Sequence, residues 1–219
     1  MSLLDLINAA VASLPPAPET PSNRILNTMA SGASNRVPLM TGRPVHIPGP
    51  AFDPANPAVF GSYKTELVVF DDPDRGTIKV NYWGGPDPRP EPHDHPWEDS
   101  EGVSFHSHIV SGGYTEEVTH PDGRTEVRHF RAGDVNVMRA NCFHTVFDVL
   151  PGTVTLMVCG PRRVRPEGEP QWGYLVDGQY VGPNHPRVKD PNFFDRFCLL
   201  NPHRRPQDGW AAGLPSSLA

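Results

Sequence analysis

Cysteine is scarce in these 219 residues. There are three, Cys142, Cys159 and Cys198, far apart and odd in number. No disulfide framework is expected, and a reducing cytoplasm fits. Charge is sparse too: charged residues are 20% of the chain, with a net charge of −6. That balance excludes a broad nucleic-acid surface, whose affinity comes from many Lys/Arg–phosphate contacts. No run approaches the ~18 consecutive apolar residues of a transmembrane helix. The start, Met1-Ser2-Leu3-Leu4-Asp5-Leu6-Ile7, has no basic region and carries an acid in its apolar run, so no signal peptide is expected. There is no G-x-S-x-G, no P-loop, no G-x-G-x-x-G after a strand and no paired C-x-x-C. Serine-hydrolase, nucleotide-binding and zinc-ribbon readings therefore drop out.

Proline is abundant instead, at 27 residues, with 20 glycines. Proline removes an amide donor and breaks helix interiors, which argues against a helical bundle. With 37% hydrophobic residues the chain is too apolar for wholesale disorder. A loop-rich, all-β domain is expected. Residues 2–13 predict a short amphipathic helix capped by Ser2, with Leu3, Leu4, Leu6, Ile7, Ala10 and Val11 at helical spacing. Residues 14–60, dense in Pro, Ser, Asn and Gly, show no period and predict an extended arm or disordered chain. Strands follow: Tyr63–Phe70, Thr77–Trp83, Val103–Ser111, Tyr114–Thr119, Thr125–Phe130, Val135–Met138, Thr145–Leu150, Thr153–Cys159 and a pair within Gln171–Val181. Their β-branched and aromatic content is interrupted by Gly, Pro, Asn and Asp turns. Even spacing of short strands predicts a sandwich or barrel. In the tail, Asp190 and Pro191 open a helix with Phe193, Phe194, Phe197 and Leu200 on one face. The expected division is 1–62 (helix and arm), 63–182 (β-domain) and 183–219 (extension with one helix).

The ten histidines are not scattered evenly. Pro92-His93-Asp94-His95-Pro96-Trp97 holds two that share a side if the backbone is extended. Neutral imidazole is the commonest metal ligand, and two on one segment offer adjacent coordination positions. A second H-x-H, His106-Ser107-His108, lies on a strand ending at Gly112-Gly113, and the strand from Gly133 leads to His144. His46, His120, His129, His185 and His203 read as surface residues in loops or flanked by basic residues. His120-Pro121-Asp122 falls in a hairpin tip and is set aside as an H-x-D site. Cys142 reads as core filler or a thiol near His144. Arg139 could point inward, as a clamp for a substrate carboxylate, or outward. Trp83, Tyr82, Trp97, Phe105, Tyr114, Phe143 and Phe147 are candidate pocket walls.

These residues resemble the two motifs of the cupin superfamily. In the second motif, G-x5-P-x-G-x2-H-x3-N, Gly133 and His144 match in type, while Arg139, Asn141 and Asp148 occupy the Pro, Gly and Asn positions. In the first, G-x5-H-x-H-x(3,4)-E-x6-G, His93 and His95 supply the H-x-H, and His106 stands where the glutamate ligand is expected, counting back from Gly113. The stretch between His95 and His106 is longer than the motif allows, and the glutamate is replaced by histidine. The resemblance covers residues 63–182. It implies a double-stranded β-helix, that is, a jelly-roll barrel.

The resemblance also implies a mononuclear metal site, with His93, His95, His106 and His144 as ligands and Glu98 or Glu101 in reserve. All-imidazole ligation suits Fe(II), taken as the first choice, or Zn, Ni, Cu or Mn, better than Mg or Ca. An Fe(II) oxygenase acting with O₂ on a chelated small molecule is the leading expectation, with His108 as acid or base and Arg139 on the substrate. The alternatives are a redox-neutral metal cupin (isomerase, lyase or hydrolase) and a non-catalytic metabolite-binding cupin. A cytoplasmic homodimer without nucleic-acid or membrane partners completes the expectation.

Overall fold

The computed structural model describes residues 3–13, 44–49, 62–72, 74–163, 172–191 and 193–201. Most of the 14–60 arm and the end of the tail lie outside these. Eleven strands form along the described chain: β1 (Val45–Pro48), β2 (Ser62–Asp72), β3 (Gly76–Trp83), β4 (Val103–Ser111), β5 (Gly113–Thr119), β6 (Thr125–Arg131), β7 (Val135–Arg139), β8 (Phe143–Val149), β9 (Val154–Cys159), β10 (Tyr174–Val176) and β11 (Gln179–Val181). Helices α1 (Leu3–Ser13) and α2 (Phe193–Leu200) flank them. The sheet order is β1-β2-β3-β9-β4-β7 in one sheet and β6-β5-β8 in another, with β10-β11 as a ribbon.

This corrects the expectation of a closed jelly-roll barrel: the fold is all-β, but its two main sheets are open. A proline-rich segment runs beside β8. In the segment 84–96, Pro86, Pro88, Pro90 and Pro92 fall at every second position. Each lacks an amide donor, so the edge of this segment turned away from β8 cannot build a ladder. The edge toward β8 keeps its amides and meets that strand through isolated bonds. Asp87 N–H donates to the Val146 carbonyl at 2.8 Å, and His93 and His144 exchange backbone bonds at 2.9 Å each.

The reading of 14–60 as a strandless arm is also corrected at one point. Val45–Pro48 pairs antiparallel with β2. Its alternation with the β2 edge is reinforced from the tail: Asn201 donates to the His46 carbonyl and accepts from its amide, both at 2.8 Å.

The strand burial patterns explain the layers. On β4, Phe105, Ser107 and Ile109 are buried on the face toward the smaller sheet, and His106, His108 and Val110 alternate to the other face. On the inner side, Phe105, Met138, Met157 and Cys159 meet Val118 of the smaller sheet and Cys142 of the turn before β8, and Trp83 and Ile109 meet Tyr114 and Val146. On the outer side, Ile7 and Ala10 of α1 pack on Val69, Ile78 and Leu156. Burying Ile7 alone is worth about 2 kcal/mol, enough to dock an 11-residue helix that is marginal alone. The chain passes from the larger sheet to the smaller at Gly112-Gly113. Gly112 has φ +67°, and a Cβ there would lie 2.3 Å from Thr153 Oγ1; a Cβ on Gly113 would lie 2.2 Å from the Phe130 carbonyl oxygen. Both positions need glycine.

Candidate metal centre

His93 and His95 are carried on the irregular segment after β3, and His144 is the second residue of β8. The two alternate histidines face the same way because Asp94 between them faces the other way. Asp94 accepts from Gly173 N–H at 2.6 Å, and Arg163 donates to both Asp94 (3.2 Å) and the His95 carbonyl (2.6 Å). Burial raises the Asp94 pKa despite these donors and the nearby guanidinium. The His93–His144 backbone bridge fixes the third ring beside the first two.

The three rings form a near-equilateral triangle. Their centroids are 5.0 Å (His93–His95), 4.8 Å (His93–His144) and 5.1 Å (His95–His144) apart. One ligating nitrogen from each lies within 4.8 Å of the others, in the one such cluster of three or more His, Cys, Asp or Glu among the described residues. His95 Nε2 and His144 Nε2 are 2.9 Å apart. Two nitrogens at about 2.1 Å from one ion, at right angles, would be about 3 Å apart.

The protonation pattern fits a cation. Glu116 is completely buried on β5, and its Oε2 accepts from His144 Nδ1 at 2.8 Å. Its Oε1 accepts from Asn136 Nδ2 at 2.9 Å. A carboxylate can only accept, so the His144 proton sits on Nδ1 and the Nε2 lone pair turns toward the cluster, the arrangement seen when an outer carboxylate orients a metal-ligating imidazole. Burial pushes the His93 pKa down to about 4, with His144 and the lysines Lys64 and Lys79 adding to the drop and Asp87 opposing it. Burial, then the neighbouring His93 and His144, hold His95 well below its ordinary value. Neutral imidazole is the metal-binding form.

Trp97 stacks on His95 (centroids 5.3 Å, planes 19° apart), Phe105 meets it edge-on at 5.1 Å, and the Tyr174 ring is 6.1 Å from His93. Trp97 and Phe105 thus occupy the wall positions expected of them. Tyr82 and Phe147 are about half exposed on outward faces.

The remaining sequence candidates fall elsewhere. His106 and His108 are on the α1-side face of β4, paired with Val158 and Leu156, so His106 is not a fourth member and His108 is not an acid or base at this centre. The cause is strand alternation: Phe105 takes the inward position, and its neighbour must turn out. Arg139 is exposed at the end of β7 and donates to the Glu101 carbonyl at 2.9 Å, which removes it as a substrate clamp. Glu101 is exposed, and Glu98 lies 3.9 Å from Arg163. Cys142 is buried in the apolar core with its Sγ 3.7 Å from His120 Nδ1, and burial pushes its thiol pKa up. His203 lies outside the described residues.

Sequence reasoning missed Glu116, Asn136, Asp94 and the inward lysines Lys64 and Lys79. Glu116 carried a readable signal. It alternates with Tyr114 and Val118 after the glycine turn, so the β register already placed an acid on the inward face.

No family model matches this chain, and no curated protein does. Among solved structures, KdgF from Halomonas sp. is 20% identical, over 46% of this chain and 81% of its own, with a TM-score of 0.35. The capsular polysaccharide assembling protein CapF from Staphylococcus aureus is 15% identical over 55% of this chain, which spans 32% of CapF, with a TM-score of 0.37. Pac13 of Streptomyces, a nucleoside dehydratase, is 12% identical over 56% of this chain and 84% of its own, with a TM-score of 0.36. These likenesses are too weak to assign a family. The all-β architecture and the histidine cluster stand on the chain's own residues. No described helix is long and apolar enough to cross a membrane.

Proposed function

We propose that this chain is a cupin-like protein that holds one divalent metal ion at His93, His95 and His144 and acts on a small organic molecule by redox-neutral chemistry. The observation that carries this reading is the convergence of three imidazoles from two distant segments, with Glu116 aiming the lone pair of His144. His93, His95 and His144 would hold such an ion without a carboxylate, and it would supply Lewis-acid chemistry there. The chain does the rest. Glu116 and Asn136 keep His144 in one tautomer and orientation. Asp94, anchored by Gly173 and Arg163, keeps His93 and His95 side by side. Trp97 and Phe105 shield one side of the cluster from water.

This donor set does not select among Fe, Zn, Ni, Cu and Mn, and it requires no redox change. The test is elemental analysis of the purified protein, then substrate screening with and without O₂. One equivalent of metal, lost in His95→Ala and His144→Ala, with turnover unaffected by removing O₂, supports the proposal. O₂ uptake coupled to turnover would restore the oxygenase reading, and full metal retention in both variants would remove the site.

A further inference from the structure

The inner wall beside the histidine cluster gathers two ammonium groups around one carboxylate. Lys64 and Glu66 on β2 and Lys79 on β3 alternate onto this face. Glu66 Oε1 accepts from Lys79 Nζ at 2.9 Å and lies 3.1 Å from Lys64 Nζ. All three side chains are at least four-fifths buried. Although burial raises the Glu66 pKa, the two ammonium groups bring it down to about 2, so it is a carboxylate shared by two cations. The other acids nearby keep their charge but are not in ion-pair contact with either lysine: Asp87 accepts from Val146 N–H, and Glu116 accepts from His144 and Asn136.

Among the described residues one carboxylate in direct contact thus serves two ammonium groups, a local shortfall. Aromatic faces offset it in part: Lys79 Nζ lies 4.9 Å from the Trp97 ring centroid, and Lys64 Nζ 5.1 Å from that of Trp83. A cation–π contact returns much less than burying an ammonium costs. A second donor has no acceptor here, since Trp97 Nε1 is buried and unpartnered among the described residues. Trp97 also stacks on His95. The Lys79 ammonium and the His95 imidazole thus pack on the same indole.

We infer that Lys79, with Lys64 and Trp97, forms an anion subsite that takes the carboxylate of a small hydroxy acid. This deepens the metal-centre reading and rests on it for the position of the hydroxyl end. Two ammonium groups share one carboxylate in direct contact, so a single further negative charge completes the pairing, which favours a carboxylate over a doubly charged phosphate. Glu66 sets the strength of the subsite by holding the second ammonium.

The test compares D-gluconate with its uncharged amide, D-gluconamide, by calorimetric titration of the full chain, both loaded with Zn(II) and stripped of metal. Gluconate should bind at least tenfold more tightly than the amide. Lys79→Met should abolish that preference while leaving Zn(II) stoichiometry unchanged, and Glu66→Gln should tighten gluconate several-fold. Circular dichroism checks the fold, and Lys64→Met replaces Lys79→Met if the latter does not fold. The inference is overturned if the preference is absent, if it survives loss of the lysine, if Glu66→Gln weakens it, or if inorganic phosphate binds more tightly than gluconate. Should Zn(II) bind one to one without a charge preference, the subsite fails and the metal centre stands. Should the protein take up no Zn(II) yet keep a Lys79-dependent preference, the metal centre fails and the subsite stands.

Discussion

Two segments of this chain share the spacing H-x-H, and the fold treats them in opposite ways. His93 and His95 face inward and meet His144. His106 and His108 face outward, on the same side of the larger sheet as α1. Equal spacing tells that two side chains share a side, and nothing about which side. The decision comes from what lies between and beside them. Asp94 is tied back by Gly173 and Arg163, which turns its neighbours toward the cluster. Ser107 and Phe105 occupy the interior of the sheet stack, which turns His106 and His108 away.

The sharpest way to break this contrast is to remove one histidine from each pair. His95→Ala should lower metal affinity at least about 1000-fold, since losing even an outer partner of a ligand costs about 10–100-fold. His106→Ala should leave it within about twofold. Metal titration with competing chelators checks both, and equal losses would mean that the pairs are not distinguished. Acid provides a second probe. His93 in the folded chain has a pKa near 4 against an ordinary 6.5. Between these values the unfolded chain takes up a proton that the folded chain refuses. The metal-free protein is therefore most stable above pH 6.5 and loses stability as pH falls toward 4, by up to about 3 kcal/mol. Glu66, depressed to about 2 from 4.5, adds a separate loss as pH falls below 4.5. Urea melts between pH 7.5 and 3 should show both, and His93→Gln should make the upper window shallower, leaving the part due to His95, without changing the lower one.

A smaller effect sharpens the role of the supporting acid. Glu116→Gln keeps the shape and loses the charge that holds the His144 tautomer, so metal affinity should fall about tenfold with the fold retained by circular dichroism. The smallest effect is expected at Arg139, which is exposed and donates to one carbonyl. Arg139→Ala should change stability by less than about 0.5 kcal/mol and leave metal binding unchanged. A large loss of either would restore it to the site.

Much of the β-domain was legible along the chain. The Asp122-Gly123 tip announced the β5–β6 hairpin, and the Pro151-Gly152 turn announced the junction of β8 and β9. Alternation placed the strands to within a residue or two. Strand β1 was missed because four residues with one proline carry too little period, and only pairing with β2 and the clasp from Asn201 make it a strand. Closure was misjudged because it was taken from the resemblance to a jelly-roll family, whereas the segment 84–96 meets β8 only through isolated bonds. At the site, His93, His95 and His144 stood out by residue type. His106 was chosen by counting back from Gly113, and such counting cannot see that Phe105 had already taken the inward position.

The amino-acid order alone determined the all-β character, the turns and the presence of metal-binding residue types, because these follow from backbone preferences and side-chain chemistry local to a few residues. Which histidines met, which acid aimed His144, and whether the sheets closed were decided only in three dimensions. Those outcomes depend on strand register and on contacts between segments tens of residues apart, and a shift of one residue in a strand reverses the side to which every group points.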